Sequence, residues 1–277
     1  MIRNKGKARF WRRGIALPSD HGSWVFVLSP LLIGVVAGGR WHTAHLYLIV
    51  ATLCGFLLRQ PVTVAVKALS GRRSEENLTP ALIWAGLYSS LAVVMMLGLH
   101  LRGYTYVLGL AIPGLLVFFW HLYLVTRREE RGKILVSLLA TAVLALAATA
   151  GFWIGVGEPD AFGWLLWALA WAQAVASVIC VFVRLQQRQL SVSPEPRQLL
   201  RMALPAITIC SLNLLTVGIL GVTGITSRWL FVAFLPQWFE ALCCFTRPAT
   251  GWKPSRIGYR QLALSVLFTL LFLLIWQ

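Results

Sequence analysis

Apolar runs of about twenty residues, separated by short polar breaks and repeated along the whole chain, constrain this sequence more than any other feature. A helix needs roughly 20 residues to cross a hydrocarbon core about 30 Å thick. Nine segments meet that length, at about 23–39, 42–58, 80–98, 104–125, 134–155, 162–183, 203–223, 229–246 and 259–276. Inside hydrocarbon no water satisfies backbone N–H and C=O groups, so such segments close their hydrogen bonds internally as helices. The expected fold class is therefore all-α, a polytopic transmembrane helical bundle of nine spans. Residues 1–22 form a basic cytoplasmic amino-terminal segment and residues 23–277 a single transmembrane domain. Hydrophobic residues make up 58% of the chain, charged residues 12%, and the mean hydropathy is +0.74, a profile that excludes an ordinary soluble domain.

Charge then sets the expected orientation. Of 25 Lys and Arg residues, all but Arg40, Arg102 and Arg228 fall on one side of the nine-span layout. The positive-inside rule makes that side cytoplasmic, with the carboxyl terminus outside and the protein multi-pass in a cell membrane of the bacterial inner-membrane type. A formal net charge of +16 suggests nucleic acid in a soluble protein. Here the basic residues occupy loops between apolar runs, where they face anionic lipid headgroups, so the expected partners are membrane lipids and no nucleic acid. Arg3, Lys5, Lys7, Arg9, Arg12 and Arg13 precede a full span without a small-x-small cleavage site, which predicts a retained anchor rather than a removed signal. The two longest connections, about 59–79 and 184–202, both lie on the basic side, and longer loops are where function concentrates.

Several residue types have ready structural explanations. Cys54, Cys180, Cys210, Cys243 and Cys244 all lie within spans, lack CxxC spacing and are expected to pack as small apolar groups. Pro30, Pro113 and Pro236 interrupt spans and read as kinks. Gly34 with Gly38, and Gly151 with Gly155, have GxxxG spacing, which permits close helix approach within the fold or between subunits. Trp11, Trp41, Trp153, Trp164, Trp252 and Trp276, near span ends, fit interfacial anchoring.

Polar residues within the apolar runs point more directly to function, because charge at the bilayer centre is costly. His121 lies in span four and Glu240 in span eight, each a turn or two from the basic side, while Gln173 and Asn213 lie near mid-depth. Glu240 reads either as an ion-pair partner of a loop Arg or as a ligand or proton-handling group. Asp20 and His21 adjoin the start of span one. Asp20 serves as a surface acid and helix cap, and His21 supplies a group that titrates near neutrality. Arg59, Thr63 and Lys67 recur at four-residue spacing, so a helix continuing past Pro61 places them on one face. Arg184 and Arg188 repeat that spacing, and Arg127, Arg128, Arg131 and Lys133 form a third cluster around Glu129 and Glu130. Arg guanidinium groups suit bidentate binding of phosphate or carboxylate.

The run Asp20-His21-Gly22-Ser23-Trp24 after Pro18, the Arg59-Gln60-Pro61 exit and the basic run Arg127–Arg131 together resemble the YwiC-like family of bacterial integral membrane proteins. That family usually opens Pro-x-Glu-His-Gly-x-Trp, so Asp20 stands where the motif has Glu. The resemblance implies membrane class and no particular activity. A weaker, architectural likeness is to UbiA-type prenyltransferases, which implies an isoprenoid or quinone-like ligand. Their loop motif Asn-x3-Asp-x3-Asp holds magnesium, whereas Arg59-x3-Thr63-x3-Lys67 keeps the spacing without the acids. No magnesium motif is evident and the cofactor is left open.

The leading functional expectation is a cavity open to the cytoplasm that binds or processes an amphiphile with an anionic head. Arg59, Lys67, Arg184 and Arg188 are assigned to the head, and His21, His121 and Glu240 to polar contacts or catalytic proton transfer, with no metal ligands. Whether a reaction occurs is left open. The alternatives are an accessory or assembly subunit of a membrane-protein complex, for which exposed GxxxG faces are expected, and a transporter, ranked lower because nine spans do not divide into two matched halves.

Overall fold

The structure is a computed structural model that describes residues 13–18, 21–128, 134–190 and 195–276. Each expected apolar segment is helical, and no strand occurs among the described residues. The α-helices are α1 (Arg13–Ala16), α2 (Val25–Ala37), α3 (Thr43–Leu69), α4 (Leu78–Leu101), α5 (Thr105–Leu108), α6 (Ala111–Arg127), α7 (Ile134–Val156), α8 (Ala161–Gln187), α9 (Pro196–Val222), α10 (Phe231–Thr246) and α11 (Pro254–Trp276). Seven helical segments are long and apolar enough to cross a membrane, with α5 and α6 together making one of them. The segments Gly22–Ala37 and Phe231–Thr246 are shorter. The 16 residues of α10 extend about 24 Å, less than the hydrocarbon thickness of about 30 Å. Of the nine expected spans, seven are therefore full-length helical segments and two are shorter apolar helices. Span one is cut short by the turn at Gly38 and by Gly39, whose φ of +70° is open to glycine.

The two long connections also differ from expectation, because α3 and α8 run on beyond the apolar stretches. Helix α3 continues through Pro61 to Leu69, as the Arg59, Thr63 and Lys67 spacing anticipates. Its polar tail stays helical because Pro61, Val64, Ala65 and Ala68 form a buried face. Val64 and Ala65 pack with Ile15 of α1 and Ala81 of α4. Gln60 Nε2 donates to Gly14 O at 2.9 Å and Tyr88 O–H to Ala16 O at 3.3 Å, which ties α1 to the same core. Helix α8 continues to Gln187, and α9 starts at Pro196, a residue suited to the first turn because it lacks the N–H that the turn leaves unpaired.

The chain forms two compact units. The first contains α1, α3, α4, α5 and α6. In it the Arg102 guanidinium lies 4.1 Å from the Tyr47 ring centroid, and Arg72 donates to the Val125 carbonyl near the end of α6. The second contains α2, α8, α9, α10, α11 and nearly all of α7.

In the second unit the two GxxxG motifs face one another. A methyl group added at Gly155 would lie 2.7 Å from Gly38 Cα, and one at Gly151 would lie 2.8 Å from Val35 N, so backbone meets backbone where α2 crosses α7. Trp167 and Trp171 of α8 donate to Ala142 O and Leu138 O of α7 at 2.9 and 3.2 Å. Trp153, expected at an interface, is 6% exposed and donates to Asp160 O at 2.8 Å. Asp160 caps α8 by accepting from Phe162 N at 2.7 Å. Cys180, Cys210 and Cys244 form a buried cluster with Ala176, Ala203, Ala206 and Ala241 where α8, α9 and α10 meet. Helices α2 and α11 are joined by the Ser29 and Thr269 hydroxyls at 2.6 Å.

Candidate functional site

The candidate groups of the second unit gather where α8 ends and α11 begins. Arg184, Gln187 and Arg188 occupy the last turn and cap of α8, and Glu240 and Cys244 lie on α10. Trp252 lies between α10 and α11, while Arg256 and Arg260 follow it at four-residue spacing on α11. Glu240 is 4% exposed and its carboxylate divides between two guanidinium groups. Oε1 accepts from Arg184 Nε at 3.1 Å and Nη2 at 3.0 Å, and Oε2 accepts from Arg260 Nε at 2.6 Å and Nη2 at 2.5 Å. Arg184, 2% exposed, uses Nη1 on Arg247 O, so each of its nitrogens is engaged. A charge this deep is tolerable only with a counter-charge and hydrogen bonds of this kind.

Trp252 organises the outer layer. Its ring lies 4.1 Å from the Arg256 guanidinium, 5.3 Å from that of Arg184 and 5.8 Å from that of Arg260. Its carbonyl accepts from Arg188 Nε at 3.2 Å. The turn leading to it is fixed by Gln187, which donates to Cys244 O at 2.6 Å and accepts from Ala249 N at 3.2 Å. Outside this frame is a concavity of about 850 Å³ lined by Gly251, Trp252, Lys253, Ser255, Arg256, Tyr259 and Arg260. Lys253 and Arg256 are exposed and have no carboxylate partner among the described residues. Among the described residues, cations in and around the concavity thus outnumber the carboxylates, and the guanidinium groups present donors to an anion.

The structure joins Arg184 to Glu240 and places Arg188 one residue beyond α8, against the same tryptophan turn. Arg59 and Lys67 belong to the first unit, on α3, with Arg59 exposed and Lys67 half-buried. Thr63 Oγ1 donates back to Arg59 O at 2.7 Å. His121 is half-buried on α6 of the first unit. His21 begins a single 3₁₀ turn, His21–Trp24, with its side chain outside the described set, and Asp20 lies outside the described residues. Among the described residues no group of three or more His, Cys, Asp or Glu is arranged to hold a metal ion.

Sequence reading passed over Trp252, Arg256 and Arg260 as functional residues, although their i, i+4, i+8 spacing equals the one noted at Arg59. It also passed over His45, which is fully buried and accepts from His42 N at 3.0 Å beneath the Trp41 ring, 5.1 Å away. In the interior of the second unit, Gln237 joins Gln173 to Gln261. Gln237 Oε1 accepts from Gln173 Nε2 at 3.4 Å and from Gln261 Nε2 at 2.7 Å. Asn213 Nδ2 donates to Ala172 O at 2.8 Å.

Comparison with known proteins supports the family resemblance. The model of the YwiC-like protein family matches residues 17–152. The uncharacterized protein YwiC of Bacillus subtilis (strain 168) is 27% identical over 154 residues, which cover 54% of this chain and 59% of that relative. The match thus spans somewhat over half the length of each. No solved structure matches the chain, and the likeness to UbiA-type prenyltransferases finds no support in these comparisons. The Arg184–Arg260 cluster lies beyond residues 17–152 and rests on its own geometry.

Proposed function

We propose that this YwiC-like integral membrane protein binds an amphiphile with an anionic head at the Trp252 concavity of its second unit. One observation carries the reading: three guanidinium groups surround the Trp252 ring, and among the described residues a single buried carboxylate offsets them. Arg184 and Glu240 act as the frame. Arg260 is 41% exposed and reaches from the ion pair to the concavity, while Lys253 and Arg256 supply charge that has no carboxylate partner among the described residues. A phosphate or carboxylate there gains charge-assisted hydrogen bonds. On α11, Tyr259, Val266, Leu270 and Leu274 are exposed at spacings of seven, four and four, an apolar strip that begins at the concavity and suits an acyl or isoprenoid tail.

Under the orientation expected from charge, this end of the unit faces the cytoplasm, where anionic lipids are abundant. Arg59 and Lys67 then form a separate cationic pair of the first unit that meets lipid phosphates. The reading concerns binding and assigns no chemical step. Of the two readings of Glu240 it keeps the ion pair, with Glu240 as a counter-ion that positions Arg260, and it gives no role to His21 or His121.

The test is mass spectrometry of lipids that co-purify in mild detergent, comparing the natural sequence with the Lys253→Ala, Arg256→Ala double variant. Enrichment of an anionic amphiphile that is lost in the variant is expected. The same lipids in the same amounts from both proteins would overturn the proposal.

A further inference from the structure

The second unit buries three glutamine amides in its interior. Gln173 of α8, Gln237 of α10 and Gln261 of α11 are 4%, 2% and 8% exposed. A glutamine amide has two donor hydrogens and an acceptor oxygen. The Gln237 oxygen receives both neighbouring amides, which leaves Gln173 Oε1 without a partner among the described residues and Gln237 Nε2 facing only the Cys180 sulfur. Ser177, one turn along α8 and fully buried, has an unpartnered hydroxyl as well. Turning over all three amides relocates the deficit without removing it, because Gln237 Oε1 then lacks a donor and Gln173 Nε2 lacks an acceptor. The group therefore offers donors and an acceptor together, the complement of water or another small neutral molecule that can do both.

These residues continue the ion-pair cluster. On α8, Gln173, Ser177, Cys180, Arg184 and Gln187 recur at spacings of four, three, four and three, which sets them on one face. Gln237 lies one turn from Glu240 on α10, and Gln261 follows Arg260 directly on α11.

From this we infer that α8, α10 and α11 enclose a buried hydration site, with water molecules bound at Gln173, Ser177 and Gln237. The inference is independent of amphiphile binding, since it rests on interior amides rather than on the exposed cations.

Brief X-ray radiolysis of the full-length protein in detergent tests it, because hydroxyl radicals formed from bound water oxidise nearby sulfur before they diffuse. Cys180 lies on the same face of α8 as Gln173 and Ser177, and Cys210 Sγ is 3.7 Å from Gln237 O. Cys54, in the first unit and 5% exposed, is the internal reference. Cys180 and Cys210 are expected to oxidise several-fold faster than Cys54. Ser177→Ala and the triple variant Gln173→Leu, Gln237→Leu, Gln261→Leu should each reduce that excess. Oxidation of all three thiols at one low rate in the natural sequence would overturn the inference even if a variant failed to fold.

Discussion

Glu240 shows what a single residue contributes and how it is read. A carboxylate within an apolar run is visible in the sequence, and an ion pair with a loop arginine was one reading of it. Its partners were not visible, because Arg184 and Arg260 lie 56 and 20 residues away and only packing joins them. The two sides of the pair differ in consequence. Glu240→Leu strands the Arg184 guanidinium with one carbonyl partner in a buried setting, and removing one member of a buried pair costs about 3–5 kcal/mol. Arg184→Leu leaves Glu240 held by Arg260 and should cost less. Combining the two substitutions should recover part of the loss, since they share a partner. Arg256→Ala removes an exposed cation–aromatic contact worth about 0.5–1 kcal/mol. Thermal unfolding in detergent ranks these variants, and equal losses for Glu240→Leu and Arg256→Ala would contradict the described burial.

At the level of elements, apolar length located the long helices but misjudged several ends, and it gave no sign of α1 or of the break between α5 and α6. Hydropathy falls where Arg59 begins a polar stretch, yet α3 persists because Val64, Ala65 and Ala68 keep one face buried. Cysteine accessibility scanned over residues 59–69 should follow a helical period, with positions 64, 65 and 68 protected, whereas uniform reactivity would mean that the helix stops at Pro61. The GxxxG motifs were legible as contact sites, and their partners turned out to be each other. Introducing a side chain there forces backbones apart, and overpacking of this kind costs about 1–3 kcal/mol or more. Gly155→Val should therefore reduce the yield and thermal stability of folded protein. Gly55→Ala, where an added methyl meets nothing within 4 Å, should be neutral or slightly stabilising. Equal effects of the two substitutions would remove the α2–α7 contact from the account.

For the whole molecule, the sequence revealed the membrane class, the helical content and the YwiC-like character of residues 17–152. It did not reveal that residues 21–40 join the later half of the chain in one unit, because hydropathy carries no information about which helices are neighbours. Nor did it reveal the Trp252 site, since a tryptophan near a span end already has an interfacial explanation. Orientation rests on charge alone and predicts that a cysteine introduced at Ser70 is protected from membrane-impermeant reagents in intact cells. Labelling from outside would invert the layout and move the basic end of the second unit away from the cytoplasm.

The central claim is that the Trp252 concavity selects an anionic head, and native mass spectrometry on the purified protein tests it most directly. The protein would be presented with equal amounts of phosphatidylglycerol and phosphatidylcholine, alongside the Lys253→Ala, Arg256→Ala variant. The account predicts preferential retention of phosphatidylglycerol by the natural sequence and loss of that preference in the variant. Equal retention of both lipids by the natural sequence, or an unchanged preference in the variant, would contradict it.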